Sequence, residues 1–127
     1  MKQELDFMSA LETRAAIARK EVSPVEVMQR ALERMEETEP RLNAFAACTP
    51  ELALAAARKA EHAVMEGAPL GLLHGLPVSV KDLITVAGEP CSFGSRTLAG
   101  NLAQVDAPAA ERIKAAGGCI IGKTTTS

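Results

Sequence analysis

Two short apolar runs, Val78-Ser79-Val80 and Cys119-Ile120-Ile121, constrain the fold of this chain more than anything else in its sequence. The first is fed by Leu72-Leu73-His74-Gly75-Leu76-Pro77 and predicts a buried strand over about 78–81. The second follows a helical stretch and a Gly117-Gly118 turn, and predicts a strand over about 119–122. Helix, glycine turn and apolar strand form the αβ half of a βαβ unit, so a partly parallel sheet is expected. Parallel strands need helices on their faces and further strands alongside, and two strands are too little sheet to stand alone. The sequence ends at Thr124-Thr125-Thr126-Ser127, directly after the second strand, and so reads as a portion of a larger sheet protein.

The helices that would cover such a sheet announce their own starts. Ser9-Ala10-Leu11-Glu12 has capping-box spacing, in which the Ser oxygen and the Glu carboxylate each satisfy an orphan amide. It predicts a helix over about 9–20 that buries Leu11, Ala15 and Ala18. Ser23-Pro24-Val25-Glu26 sets a cap, a first-turn proline and an acid in order for a helix over about 24–38. Its stripe is Val25, Met28, Leu32 and Met35, and Pro40 is expected to end it. Thr49-Pro50-Glu51 repeats the signal for a helix over about 50–66 with Leu52, Ala56, Ala60 and Val64 on one side and Gly67 as its stop. Asp106-Ala107-Pro108 opens a fourth, over about 107–116. Between the strands, residues 84–103 carry Gly88, Pro90, Gly94 and Gly100 and predict a long irregular segment, a feature more often functional than idle.

Composition decides what the core is made of and which partners are excluded. The 127 residues hold 23 Ala, no Trp, no Tyr and only Phe7, Phe45 and Phe93, so the core is aliphatic and thin. Fourteen basic against 16 acidic residues give a net charge of −2, and no basic stripe with interleaved aromatics exists; neither nucleic acid nor an anionic membrane surface is an expected partner. The longest uncharged apolar stretch, Gly67 to Val80, is broken by Pro69 and Pro77 and falls short of the roughly 20 residues that span a bilayer. Cys48, Cys91 and Cys119 are odd in number and widely spaced, which predicts no disulfide framework and no zinc site. With no secretory leader at Met1-Lys-Gln-Glu-Leu-Asp, a reducing, cytoplasmic setting is expected.

Two lysines stand out. Lys123 sits in Gly117-Gly118-Cys119-Ile120-Ile121-Gly122-Lys123-Thr124, which satisfies the phosphate-loop expression letter for letter. A phosphate loop follows a strand and precedes a helix; here a helix comes first and the intervening residues are the strand, so nucleotide binding is not expected. Lys81 leaves the first strand next to Asp82. Desolvation there would favour a neutral amine able to serve as general base for a serine nucleophile. Equally, its stem could lie on apolar surface with the ammonium in water, paired with Asp82. Spacing alone leaves both readings open.

The stretch LHGLPVSVKDLITVAGEPCSFGSRTLA, continuing through DAPAAERIKAAGGCIIGKT, closely resembles the amidase signature family. The upstream segment SPVEVMQRALERMEETEPRLNAFAACTPELALAAA is similar to that family's N-terminal helices. The resemblance implies an α/β fold: N-terminal helices packed on part of a mixed β-sheet, a fragment of an α/β/α amidase. It also implies hydrolysis of a carboxamide to carboxylate and ammonia by a Ser–cis-Ser–Lys triad, without metal or organic cofactor, on a small-molecule amide. By that match Lys81 is the triad lysine, accepting a proton through a bridging serine while the second serine attacks the carbonyl. The family's two serines lie in a Gly- and Ser-rich segment downstream of GKT; Ser79, Ser92, Ser95 and Ser127 match neither. Residues 1–127 alone are therefore expected to be inactive. Two further implications stay open: the A subunit of a tRNA-dependent amidotransferase, which is similar through this region, and a non-catalytic module that associates with itself or a partner through an exposed sheet edge. The substrate-binding residues are not implied.

The remaining candidates read as structural. His74 supports the turn before the first strand and His62 lies on a charged, solvated helix face. Gly88, Gly94 and Gly100 suit loop geometry with positive φ. Arg96 is a surface arginine, although its fork could meet a substrate carboxylate. Cys91 and Cys119 are small buried hydrophobes.

Overall fold

A computed structural model describes residues 2–126. The chain forms helices α1 (Lys2–Phe7), α2 (Ala10–Ala18) and α3 (Pro24–Leu42), strand β1 (Phe45–Cys48), helix α4 (Pro50–Met65), strand β2 (Pro77–Lys81), helix α5 (Pro108–Ala115) and strand β3 (Cys119–Thr124). The sheet is mixed, in the order β1-β3-β2: β2 runs parallel to β3 and β1 antiparallel to it. The fold is thus α/β, with helices laid on a small mixed sheet. Strand β1 and helix α1 were not expected. Phe45-Ala46-Ala47-Cys48 lacks the β-branched residues that announce a strand, and it pairs with β3 around a bulge. Gly122 makes that pairing possible, because a Cβ there would meet the Ala47 carbonyl oxygen at 2.8 Å.

Three apolar clusters hold the layers together. On one face of the sheet, Met28 and Met35 of α3 and Ala53, Ala57 and Ala60 of α4 pack on Cys119 and Ile121. On the other, Val80 and Ile120 meet Val86 and Ala110. A third cluster joins Ala16 and Ile17 of α2 to Val22, Val27, Val64 and Leu76. Alanines let α4 lie close against β3, which is how a core with so few aromatics closes.

Both capping boxes form. The Ser9 and Ser23 hydroxyls accept from the Glu12 and Glu26 amides at 3.2 and 3.0 Å, and the carboxylates accept from the serine amides at 2.7 and 2.8 Å. Four expectations need correction. Helix α2 does not bury Leu11, which is 84% exposed; Thr13, Ala16 and Ile17 face inward, and the Thr13 hydroxyl can be buried because it donates to the Ser9 carbonyl at 2.9 Å. Helix α3 passes Pro40 and runs to Leu42, since a proline in the last turn removes only one amide. Asn43, at φ 47°, ends the helix, and the Glu39 carboxylate accepts from the Ala44 and Phe45 amides at the start of β1. Helix α4 buries Ala60 and Val64 as expected, but in its first half Ala53 and Ala57 face inward in place of Leu52 and Ala56, which leaves Leu52 half exposed. Thr49 does not cap α4: its hydroxyl donates to the buried Glu89 carboxylate at 2.7 Å.

Candidate active site

Strand β2 ends in Lys81, and the parallel strand β3 ends beside it, with Lys81 in register with Thr124 and Val80 with Lys123. In open sheets with parallel strands, chemistry gathers at these carboxyl ends. Lys81 is exposed while its neighbours Val80 and Asp82 are buried, so the strand's alternation carries the ammonium to the solvent side of β2. Of the two readings the sequence left open, residues 2–126 show the one in which the Lys81 side chain is exposed, but without Asp82 as its partner.

Asp82 is paired with Lys123 instead. Lys123 is fully buried, its Nζ lying 3.7 Å from Asp82 Oδ1 and donating to the Pro90 carbonyl at 3.3 Å. The Asp82 carboxylate, itself 2% exposed, also accepts from the Ser92 amide at 3.3 Å and from the Ser92 hydroxyl. A bulge explains the partner. Between Val78 and Ser79, β3 advances from Ile120 to Gly122, inserting Ile121 as an extra residue. In unbroken register Lys123 would lie beside Lys81 on the same face; the extra residue turns it to the face of Val80 and Asp82.

The segment after β2 is tied to this cluster. The Asp82 amide donates to the Thr124 carbonyl at 2.9 Å and the Ile84 amide to the Lys81 carbonyl at 2.9 Å. The Cys91 thiol donates to the Asp82 carbonyl at 2.9 Å. Residues 88–91 and 101–103 run against each other through Gly88–Ala103, Ala103–Glu89 and Cys91–Asn101 backbone bonds. Ser92-Phe93-Gly94 then turns sharply, with Phe93 at φ 53° and Gly94 at φ 74°. Gly94 approaches the Thr126 side chain so closely that a Cβ would collide with its hydroxyl.

The other candidates fall away from this point. Lys123 cannot cradle a phosphate, because Cys119–Thr124 is a strand and its ammonium is buried against Asp82 and Pro90. His74 is buried, with Nε2 2.9 Å from the Ala60 carbonyl oxygen. His62 is exposed and sits 3.0 Å from Glu66. Arg96 is exposed in a short 3-10 turn, Arg96–Leu98. Ser79 shares the exposed face of Lys81, Ser92 serves Asp82, Ser95 lies against Thr97, and Ser127 falls outside the described residues. Gly88, Gly94 and Gly100 all have positive φ. Burial pushes the Cys119 thiol up from its ordinary pKa, and burial together with Glu39 does the same at Cys48, so neither is poised as a thiolate. A cleft of about 380 Å³ between α4, α5 and β3 is lined by His74, Glu89, Lys59 and Lys114. It does not include Lys81, and three of those side chains already hold Ala60, Thr49 and Asp106. Among the described residues no three His, Cys, Asp or Glu gather as a metal site, and no helix is long and apolar enough to cross a membrane.

The feature that sequence reasoning missed is the Asp82–Lys123–Ser92 cluster. Its signal was the adjacency of the two motifs VKD and GKT to strand ends, which a parallel pairing brings side by side.

Comparison with known proteins places the chain. The amidase family model matches residues 26–127. The chain is 40% identical over 120 residues to the A subunit of the glutamyl-tRNA(Gln) amidotransferase of Chloroflexus aurantiacus, covering 94% of this chain and 25% of that protein. It is 34% identical over 125 residues to an acylamidase of Rhodococcus erythropolis, covering 98% and 26%. Among solved structures, a bacterial aryl acylamidase of the amidase signature enzymes superposes with a TM-score of 0.88 at 27% identity, covering 93% of this chain and 25% of that one. The chain therefore spans about a quarter of the length of the relatives it matches.

Proposed function

The chain belongs to the amidase signature family, and from that membership we propose that it supplies the lysine-bearing portion of an enzyme that hydrolyses a carboxamide to carboxylate and ammonia. The supporting observation is the position of Lys81, exposed at the carboxyl end of β2, where the next amide bonds to β3 and its own carbonyl accepts from the Ile84 amide. In this reading Lys81 relays a proton through a bridging serine, and a second serine forms the acyl intermediate with the amide carbon as ammonia leaves. Neither serine is among residues 1–127. A small amide is the substrate class, and a reducing cytoplasm suits the three free cysteines.

The test is ammonia release from a simple aliphatic amide. The 127-residue polypeptide, verified by intact mass, should give none. A polypeptide read on from codon 127 that contains the paired serines should turn over, and Lys81→Ala should lower its kcat by at least about a thousandfold. Turnover that survives Lys81→Ala would remove Lys81 from the mechanism. Turnover by the 127-residue chain itself would show that no further serines are needed.

A second reading is favoured by the relatives at 40–41% identity, which are the A subunits of amidotransferases. Under it the ammonia released from the amide passes to another protein of the complex; amide hydrolysis that rises when partner subunits are added would support it, and indifference to them would oppose it. A third, non-catalytic reading rests on the open outer edge of β2. Sedimentation as an oligomer supports that module, whereas a monomer that unfolds cooperatively argues against it.

A further inference from the structure

A strand end can be closed with apolar side chains, yet here it is closed with a buried ion pair. Removing two charges from water is costly enough that a well-packed apolar pair is often the more stable choice. The Asp82–Lys123 pair therefore calls for an explanation other than stability. The bonds of the pair tie the residue after Lys81 to the loop laid across it. Lys123 takes the Pro90 carbonyl, Asp82 takes the Ser92 amide and hydroxyl, and the Cys91 thiol takes the Asp82 carbonyl. The Asp82 amide carries the β2–β3 ladder one step beyond Lys81, and the Lys81 carbonyl is itself bonded by the Ile84 amide. Lys81 is left with a fixed backbone and, among the described residues, a side chain without a partner. The bulge at Ile121 serves the same end, because it moves the second ammonium away from Lys81 and into the pair.

We infer that Asp82, clamped by Lys123 and Ser92, is a positioning residue for Lys81: it pins the 90–92 segment over the ends of β2 and β3 and so fixes the point from which the Lys81 ammonium leaves the sheet. This rests on Lys81 being the reacting lysine. The clamp itself touches no substrate.

The experiment reads position without turnover, so its outcome and that of the hydrolysis assay are independent. Exposed lysines are dimethylated with 13C-formaldehyde and a borohydride reductant, which keeps their charge, and the Lys81 resonance is assigned by its loss in Lys81→Arg. Amide hydrogen exchange is followed at Asp82, Ser92 and, as a core reference, Ile121. Ser92→Ala removes one arm of the clamp. It should shift and narrow the Lys81 resonance and speed exchange at residues 82 and 92 by about tenfold, with Ile121 unchanged. The double variant Asp82→Leu with Lys123→Met replaces the clamp by apolar volume. It should keep a cooperative denaturant transition near that of the parent while showing the same loosening at Lys81. An unchanged Lys81 resonance and unchanged exchange at residue 82 in folded Ser92→Ala would overturn the inference, whatever the double variant does. If the double variant fails to fold, the Ser92→Ala result decides alone.

Discussion

The helical layer and the strand end are held by opposite strategies. In α2 and α3 the ends are closed by neighbours three residues apart, Ser9 with Glu12 and Ser23 with Glu26, all of them at the surface. At the carboxyl ends of β2 and β3 the closing groups are the buried Asp82 and Lys123 with the half-buried Ser92, far apart in sequence. Exposed local bonds can each be lost with little consequence, because water replaces them. A buried charge that loses its partner has no such substitute. The helices are thus an adjustable scaffold, and the strand end is an all-or-nothing unit from which an exposed lysine projects.

The sharpest way to break this contrast is to treat the two lysines alike. Lys123→Ala leaves the Asp82 carboxylate buried without its cation and should cost about 3–5 kcal/mol in urea denaturation. Lys81→Ala, at an exposed position on the neighbouring strand, should stay within about 0.5 kcal/mol of the parent. Equal losses would mean that Lys81 is as structural as Lys123.

Ser23→Ala tests the helical side at smaller scale. The hydroxyl accepts from the Glu26 amide at 3.0 Å, and its loss should cost about 1 kcal/mol with a cooperative transition retained. A loss as large as that of Lys123→Ala would erase the distinction between local and long-range closure.

The same contrast governs what the sequence could tell. Capping boxes are legible because both partners lie within one turn, so Ser9, Glu12, Ser23 and Glu26 point to each other without any tertiary knowledge. The family motif likewise marks Lys81 and its strand. Nothing local says that Lys123 turns away from Lys81, since that depends on one extra residue in β3, Ile121. The pull of Glu89 on the Thr49 hydroxyl is equally invisible, because a cap signal and a long-range hydrogen bond use the same oxygen. The face of α2 was misjudged for a related reason: Leu11 is apolar, but the partners Val22 and Leu76 lie on the side of Ile17. Periodicity gives the spacing of a stripe and leaves its neighbour unnamed.

Between the two extremes lies the joint of α1 to α3. Arg30 donates to Asp6 from Nε and a terminal nitrogen at 2.7 and 2.6 Å, a bidentate pair that is only partly buried. The Arg30 hydrogen bonds, helped by the charges of Arg30 and Arg34 and opposed by burial, hold the Asp6 carboxyl below its ordinary pKa. The folded state therefore binds this proton less readily than the unfolded chain. Its contribution is fully present above the ordinary aspartate pKa and is lost as pH falls through the lower folded value. Urea midpoints of the parent and Asp6→Asn should accordingly differ at pH 7 and converge as pH is lowered past about 4. A gap that widens in acid would reverse the sign and show that burial outweighs Arg30 at this carboxylate. The gap should also shrink somewhat in high salt, because the partly buried pair keeps some contact with solvent, whereas the loss caused by Lys123→Ala should not.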